Sequence, residues 1–425
     1  MLDTIKSLLS VRGKPHPGTH LNQFTGLLLF LFPIFAVTIR HWVSTVFILL
    51  TALGVAYLAK FKNDEKLTKL EISLLTLMGL FFVVYLISSV IHGWGDRSVR
   101  LLERELRFLL FIPLYLLIRQ FADPMRFIGP GAAIAVFLNT LIVLTQVFYL
   151  GYGRDVGVYG PLFTGPITVL FLIVALAWAH GQVPQKYRSF TVLALVIVTL
   201  GTAMLTSRSA MLGAVTVAVG YYLVVAKNYR GLVFFLFLGS LLIGVHEAMN
   251  VTTAPRFETA INDAMGYLQY QNHHPDAANP YASSSVGVRL EMLRSLQYFA
   301  RDYLIWGVGG YNYHDVISHY VIQGLVAEAV TQHAHPHNVF AQVFVSKGIV
   351  GLINFLAIMV VVILILRRQI IQSTKSRFPV FGLLFLLALI LMSLTESALV
   401  LKGNFIACAL VVLAVFLATI NKKTL

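Results

Sequence analysis

Cysteine is all but absent from this sequence. The single one, Cys408, lies inside an apolar run, which excludes disulfides and thiolate metal sites and leaves a buried thiol as its reading. Charge is scarce too: 12% of the 425 residues are charged against 58% hydrophobic, with a mean hydropathy of +0.79. That balance is foreign to soluble domains and describes an integral membrane protein. Acidic residues are the rarest, 18 against 32 Lys and Arg, and no Asp-x-Asp pair occurs, which argues against a magnesium site built on carboxylates. The basic residues behind the net charge of +14 are scattered through short breaks between apolar runs, so nucleic acid is not an expected partner.

What remains is long apolar runs. They exceed the short alternating segments of a membrane β-barrel and reach the length a helix needs to cross about 30 Å of hydrocarbon. About twelve spans are expected, near 22–39, 42–59, 70–92, 104–119, 127–150, 161–180, 189–206, 209–226, 231–249, 338–366, 379–401 and 403–420. The segment before the first span is polar and basic, and the following run outlasts a signal-peptide core, so that span is expected to stay in the membrane. No internal repeat of fixed period stands out.

The basic residues orient these spans, because cytoplasmic loops are enriched in them. Lys60, Lys62, Lys66 and Lys69, then Lys186 and Arg188, then Arg367, Arg368, Lys375 and Arg377 fall on one side, together with both termini. Residues 250–337 face the other side with Arg154, Arg208, Arg289 and His337. The segment Arg97 to Arg107 puts four arginines there, among Asp96, Glu103 and Glu105; it reads as an ion-paired loop or as a patch for an anionic ligand. Three regions follow: spans one to nine in 1–249, an outer loop in 250–337, and spans ten to twelve in 338–425. Within the loop, Phe257 to Tyr270 and Val288 to Tyr303 carry apolar residues at helical spacing, and Asn272 to Ser285 is a break.

The loop closes on His333-Ala334-His335-Pro336-His337-Asn338, with Gly348 after nine residues and Gly351 after two more. An imidazole where a wet loop re-enters a bilayer suits chemistry on lipid-borne substrates. Pro336 stiffens the approach, Asn338 can cap the following helix, and the two glycines would let a helix or a lipid chain approach closely. The alternating histidines also suggest a metal. The nearest acid in sequence, Glu328, has no ligand spacing to them, so none is expected. Arg208, in Thr206-Ser207-Arg208-Ser209, is either a hinge arginine snorkelling to headgroups or an anion binder. Arg289 opens a loop helix, with Glu291 and Asp302 as ordinary partners that Arg294 could equally take. Arg154 has Asp155 beside it. A guanidinium fork grips phosphate best where water is excluded, and two of them would suit a pyrophosphate.

Thr206-Ser207-Arg208 between two spans, Arg289 in a large loop followed by Trp306-Gly307-Val308-Gly309-Gly310, and the His337-Asn338, Gly348, Gly351 spacing together resemble the O-antigen ligase and polymerase superfamily. Length and the single large loop are most similar to its O-antigen ligases. The resemblance implies a C-type glycosyltransferase membrane fold (GT-C) in the bacterial inner membrane with its active site facing the periplasm. It implies transfer of O-antigen from undecaprenyl pyrophosphate to a lipid A core sugar in lipopolysaccharide biosynthesis, with neither metal nor other cofactor. It makes His337 the general base and Arg208 and Arg289 the pyrophosphate binders, with Arg154 and Asn338 as further candidates at the substrate. The residue types suit that chemistry: a sugar hydroxyl needs a base, and a departing pyrophosphate needs electrostatic stabilisation more than an acid. The absence of paired carboxylates favours a single inverting displacement. An O-antigen polymerase or a protein O-oligosaccharyltransferase would use the same donor-side groups. A secondary transporter or lipid flippase would show repeated halves and charges at mid-membrane.

Overall fold

The computed structural model describes residues 19–60, 66–94, 96–121, 123–152, 156–227, 229–234, 236–237, 254–274, 279–310, 312–372 and 376–418. All regular structure among them is helical. The membrane part comprises α1 (Thr19–Thr38), α2 (Trp42–Lys60), α3 (Lys69–Ile91), α4 (Asp96–Ile118), α5 (Met125–Leu144, run on by a π-turn), α6 (Pro161–Gln182), α7 (Gln185–Thr206) and α8 (Arg208–Gly220, also run on by a π-turn). Three loop helices follow: α9 (Ala254–His273), α10 (Gly287–Tyr303) and α11 (Tyr313–Ile322). The chain then returns through α12 (Val339–Gln372), α13 (Phe378–Ser393), the single turn α14 (Ala398–Leu401) and α15 (Gly403–Ala418).

Among the described residues, seven helices are long and apolar enough to cross a membrane, and Ser209–Val225, Phe378–Ser393 and Gly403–Ala418 are shorter apolar helices. The ninth expected span, 231–249, lies largely outside the described residues. Two helices form the centre. Residues 164–177 of α6 and 405–418 of α15 are buried without interruption, as expected for helices apolar on every side. Around them α5 packs on α1 and α6, α4 on α2, α3 and α15, α8 on α13, and α12 on α3.

The Arg97 to Arg107 segment is not a loop: it is the first half of α4, and two of its charged residues, Glu105 and Arg107, are buried inside the protein. Arg107 Nη2 bonds Glu103 at 2.6 Å and Ser44 at 3.1 Å, and Glu105 accepts Lys347 Nζ at 2.7 Å with both side chains buried. Lys347 also lies 4.0 Å over the Phe81 ring. The expected span 379–401 is broken, because α13 stops at Ser393 and residues 394–397 turn away before α14. Thr395, Glu396 and Ser397 make that stretch too polar to continue an apolar helix.

The loop helices have a core of their own, with Val288, Met292, Phe299, Tyr313, Ile317, Tyr320 and Val330. Its polar hub is Glu291, which is fully buried and accepts from Tyr267 of α9, from Arg294 at 2.8 Å and from Ala327 N–H at 2.9 Å. Arg294 also donates to Leu325 O. The structural role thus falls to Arg294, and Arg289 is left exposed.

This unit is stitched into a break in α12. Gly348, at φ 66° and ψ −165°, interrupts the helix. The 304–308 segment enters there, with Val308 N–H donating to Val345 O at 2.7 Å and Ile349 N–H to Leu304 O at 2.8 Å. Ser88 of α3 reaches Ser346 O at 2.8 Å and also Trp306 O. A Cβ on Gly348 would lie 2.1 Å from Ile305 O, and one on Gly351 would lie 2.2 Å from Lys347 Cβ. The two glycines therefore admit the chain's own backbone and the buried lysine, in place of the neighbouring helix or lipid expected from their spacing.

Candidate active site

His337 stands at the mouth of α12 with φ 49°, a left-handed conformation that costs a non-glycine residue about 1–3 kcal/mol and persists only where neighbours enforce it. Those neighbours can be named. Asn338 Oδ1 accepts Ala341 N–H at 3.0 Å, capping α12, while its Nδ2 donates to Leu394 O at 3.1 Å. Both ends of the Asn338 amide are thereby engaged in structure. His337 N–H donates to His335 Nδ1 at 3.3 Å. The α12 cap thus pulls residues 394–397 against the histidine segment.

The result is a carboxylate that no spacing suggested. Glu396 Oε2 lies 3.5 Å from His337 Nδ1, an electrostatic contact slightly longer than a hydrogen bond, and Glu396 Oε1 accepts Ser397 N–H at 2.9 Å. On the other edge of the ring, His337 Nε2 lies 3.2 Å from His333 Nδ1. With a proton on Nδ1 toward Glu396, Nε2 keeps the lone pair a base needs. Burial pushes the Glu396 carboxyl up, but His337, His335 and the Ser397 N–H outweigh it and hold it below the usual carboxylate range. Burial drives the His335 imidazole down to about 4, aided by the charge of His337, and burial, then His337 and Arg289, lowers His333.

The arginines are placed as follows. Arg289 lies in the first turn of α10, exposed, and near enough for its charge to act on His333. Arg208 opens α8, where Ser207 Oγ caps by accepting Ala210 N–H at 3.2 Å. That turn is at the same end of the bundle as 394–397, since α8 leans on α13 so closely that a Cβ on Gly213 would lie 2.9 Å from Met392 Sδ. Arg154 lies outside the described residues. Lys402, exposed and 4.9 Å from the Phe163 ring, adds a cation whose charge reaches His335. His335, His337 and Glu396 each bring a ligand atom within 4.8 Å of the others, a set that could hold a metal ion. The expectation of no metal rested on the lack of a nearby acid in sequence, and the fold supplies one from another element.

Sequence reasoning missed Glu396, Lys402 and the Lys347–Glu105 pair. Glu396 carried a signal: it is the sole acidic residue between Arg377 and the last residue, and a lone carboxylate in an apolar stretch generally has a partner and a task.

Residues 193–356, which include Arg208, Arg289 and His337, match the family described as O-Antigen ligase. An uncharacterized protein of Haemophilus influenzae is 23% identical over 349 residues, covering 80% of this chain and 84% of its own length.

Proposed function

From the match of residues 193–356 to the O-antigen ligase family, we propose that this protein belongs to that family and is the ligase itself. It takes O-antigen polysaccharide from undecaprenyl pyrophosphate and joins it to a lipid A core sugar hydroxyl at the periplasmic face of the inner membrane, with both termini in the cytoplasm and a GT-C architecture of about twelve spans. The family's members are glycosyltransferase-like enzymes of lipopolysaccharide biosynthesis; donor, acceptor and stereochemistry are this proposal's own.

The observation that carries it is His337, held in a strained conformation between Glu396 and His333, with Arg289 near enough for its charge to act on His333. On this reading Nε2 takes the proton of the acceptor hydroxyl as its oxygen attacks the anomeric carbon, with inversion. The bond to the pyrophosphate oxygen breaks, and the lipid pyrophosphate departs with the electron pair. Glu396 stabilises the imidazolium that forms, as a carboxylate behind a catalytic histidine does. Arg208 and Arg289 take up the charge on the leaving group, and no metal cofactor is needed. Before reaction the acceptor hydroxyl must displace His333 from Nε2.

The test is transfer by the purified protein in proteoliposomes containing lipid-linked glycan, with lipid A core, a second lipid-linked glycan or a serine-rich peptide as acceptor. Product on lipid A core is expected, with His337→Ala slower by about a hundredfold or more. Product only on the second lipid-linked glycan would make the protein a polymerase, and product only on the peptide an oligosaccharyltransferase.

A further inference from the structure

We infer that His335, His337 and Glu396 form a transition-metal site of the zinc type, whose occupation switches transfer off. One ligand atom from each residue lies within 4.8 Å of the others. Four-coordinate zinc, with bonds of about 2.0–2.1 Å, holds its donors about 3.4 Å apart. His337 Nδ1 and Glu396 Oε2, at 3.5 Å, already meet that spacing. The His335 ring, whose centroid is 4.2 Å from that of His337, has to close roughly 1.4 Å at most, within reach of one imidazole rotation. Two imidazoles and a carboxylate are a donor set suited to zinc and cobalt and poorly suited to magnesium or calcium.

A second observation points the same way. His337 Nδ1 is buried and makes no hydrogen bond, with the Glu396 carboxylate facing it at 3.5 Å. A cation between them would satisfy both. The cluster is also reachable: the side chains of His337 and Glu396 are 18% and 8% exposed, just beneath the surface. Three protein ligands leave a fourth position for water.

The consequence for the base follows from the two ring nitrogens. With metal on Nδ1, the ring's one proton must sit on Nε2. That N–H then donates to His333 Nδ1, 3.2 Å away, and no lone pair remains to receive the proton of an acceptor hydroxyl. The metal-bound ring is thus a poor base by construction. This switching role rests on the function proposed above for His337, whereas the metal site does not.

Cobalt separates the two. Titrating Co2+ into the purified full-length protein at neutral pH should produce visible ligand-field bands that saturate at one equivalent and disappear on adding Zn2+. His335→Ala, His335→Gln and Glu396→Gln should each weaken binding by about tenfold or more, and His273→Ala, in α9, should leave it unchanged. Zn2+ should abolish transfer and EDTA restore it. Absence of bands at millimolar Co2+, or bands that survive in both His335 variants, would overturn the site. Saturated binding with undiminished transfer would overturn the switch and leave the site standing. A protein that never transfers sugar still reports on the metal through its spectrum.

Discussion

Replacing Gly348 with alanine tests the join between the loop helices and α12, the helix that follows His337. At φ 66° and ψ −165° the residue occupies a region open essentially to glycine alone, so an L-residue there loses about 1–3 kcal/mol from backbone strain. The added carbon would also lie 2.1 Å from Ile305 O, 2.3 Å from its carbonyl carbon and 2.6 Å from Trp306 N. All three are backbone atoms, and no side chain can swing aside to relieve them. Relief requires withdrawing the 304–308 segment, which gives up the Val308 to Val345 and Ile349 to Leu304 hydrogen bonds at about 1 kcal/mol each. The sum is a destabilisation of about 3–5 kcal/mol, at the upper end for single substitutions. The measurement is thermal unfolding of the detergent-solubilised protein, beside Gly201→Ala as control. A Cβ on Gly201, in α7, meets nothing within 4 Å, so alanine there should be neutral or stabilising by up to about 1 kcal/mol. If the two variants unfold at the same temperature, the 304–308 segment does not fill a break at Gly348.

Four other outcomes are expected. Lys347→Met should cost about 3–5 kcal/mol by stranding Glu105 in an apolar interior, and most of that should return in the Lys347→Met, Glu105→Leu double variant; chemical denaturation of the three proteins decides it. On the proposed function, Glu396→Gln should lower kcat for transfer by about a hundredfold with little change in KM, since it would remove the charge that steadies a His337 imidazolium and leave the acceptor's binding groups in place. Arg289→Lys keeps the charge and loses the fork, so donor affinity should fall; an unchanged KM for the lipid-linked glycan would argue against bidentate phosphate binding. Stability of the metal-free protein should fall on acidification from about pH 6.5 to about 4, because there the unfolded His335 takes up a proton that the folded one, with its pKa lowered to about 4, resists. That interval corresponds to about 3 kcal/mol. Glu396 acts in the same direction: folded, it stays ionised at pH values where the unfolded carboxyl protonates, so its contribution is also lost in acid. His335→Gln should flatten the pH profile of the melting temperature.

Apolar windows gave eleven of the expected spans a helix among the described residues, because a helix that must satisfy its own backbone in hydrocarbon leaves a long run that nothing else explains. The loop helices were also legible: the expected Val288 to Tyr303 is observed as Gly287–Tyr303, and Phe257 to Tyr270 falls within Ala254–His273. Illegible were the pairings across the chain. Nothing local says that Glu105 meets Lys347, 242 positions away, or that Glu396 meets His337. The charged stretch before Arg107 looked wet because Glu105 and Arg107 find Lys347 and Ser44 on other helices. The Gly348 and Gly351 spacing was read as room for another helix or a lipid chain, when it accommodates the 304–308 backbone and a buried lysine.

The site therefore lies where the membrane helices are least regular, and the physical reason is general. A continuous transmembrane helix satisfies its own backbone and offers nothing to a substrate. Polar chemistry at the edge of a bilayer needs helix ends, and here they gather: α8 begins at Arg208, α12 begins after His337 and breaks again at Gly348, and α13 ends short of Glu396. Three of these places are tied to other segments by hydrogen bonds. Asn338 holds Leu394, the 304–308 segment fills the gap at Gly348, and Glu291 ties α9 and the residues before the histidines to α10. A histidine with φ 49° can be held in this arrangement because the next residue, Asn338, is fixed at both ends of its amide and Glu396 faces the imidazole at 3.5 Å. Rigidity of this kind suits a displacement whose reacting atoms must be aligned before a lipid-borne donor arrives. It also predicts that variants loosening the 394–397 turn, such as Asn338→Ala, lower kcat for transfer well before they lower the melting temperature; equal losses in both would mean that the turn serves stability alone.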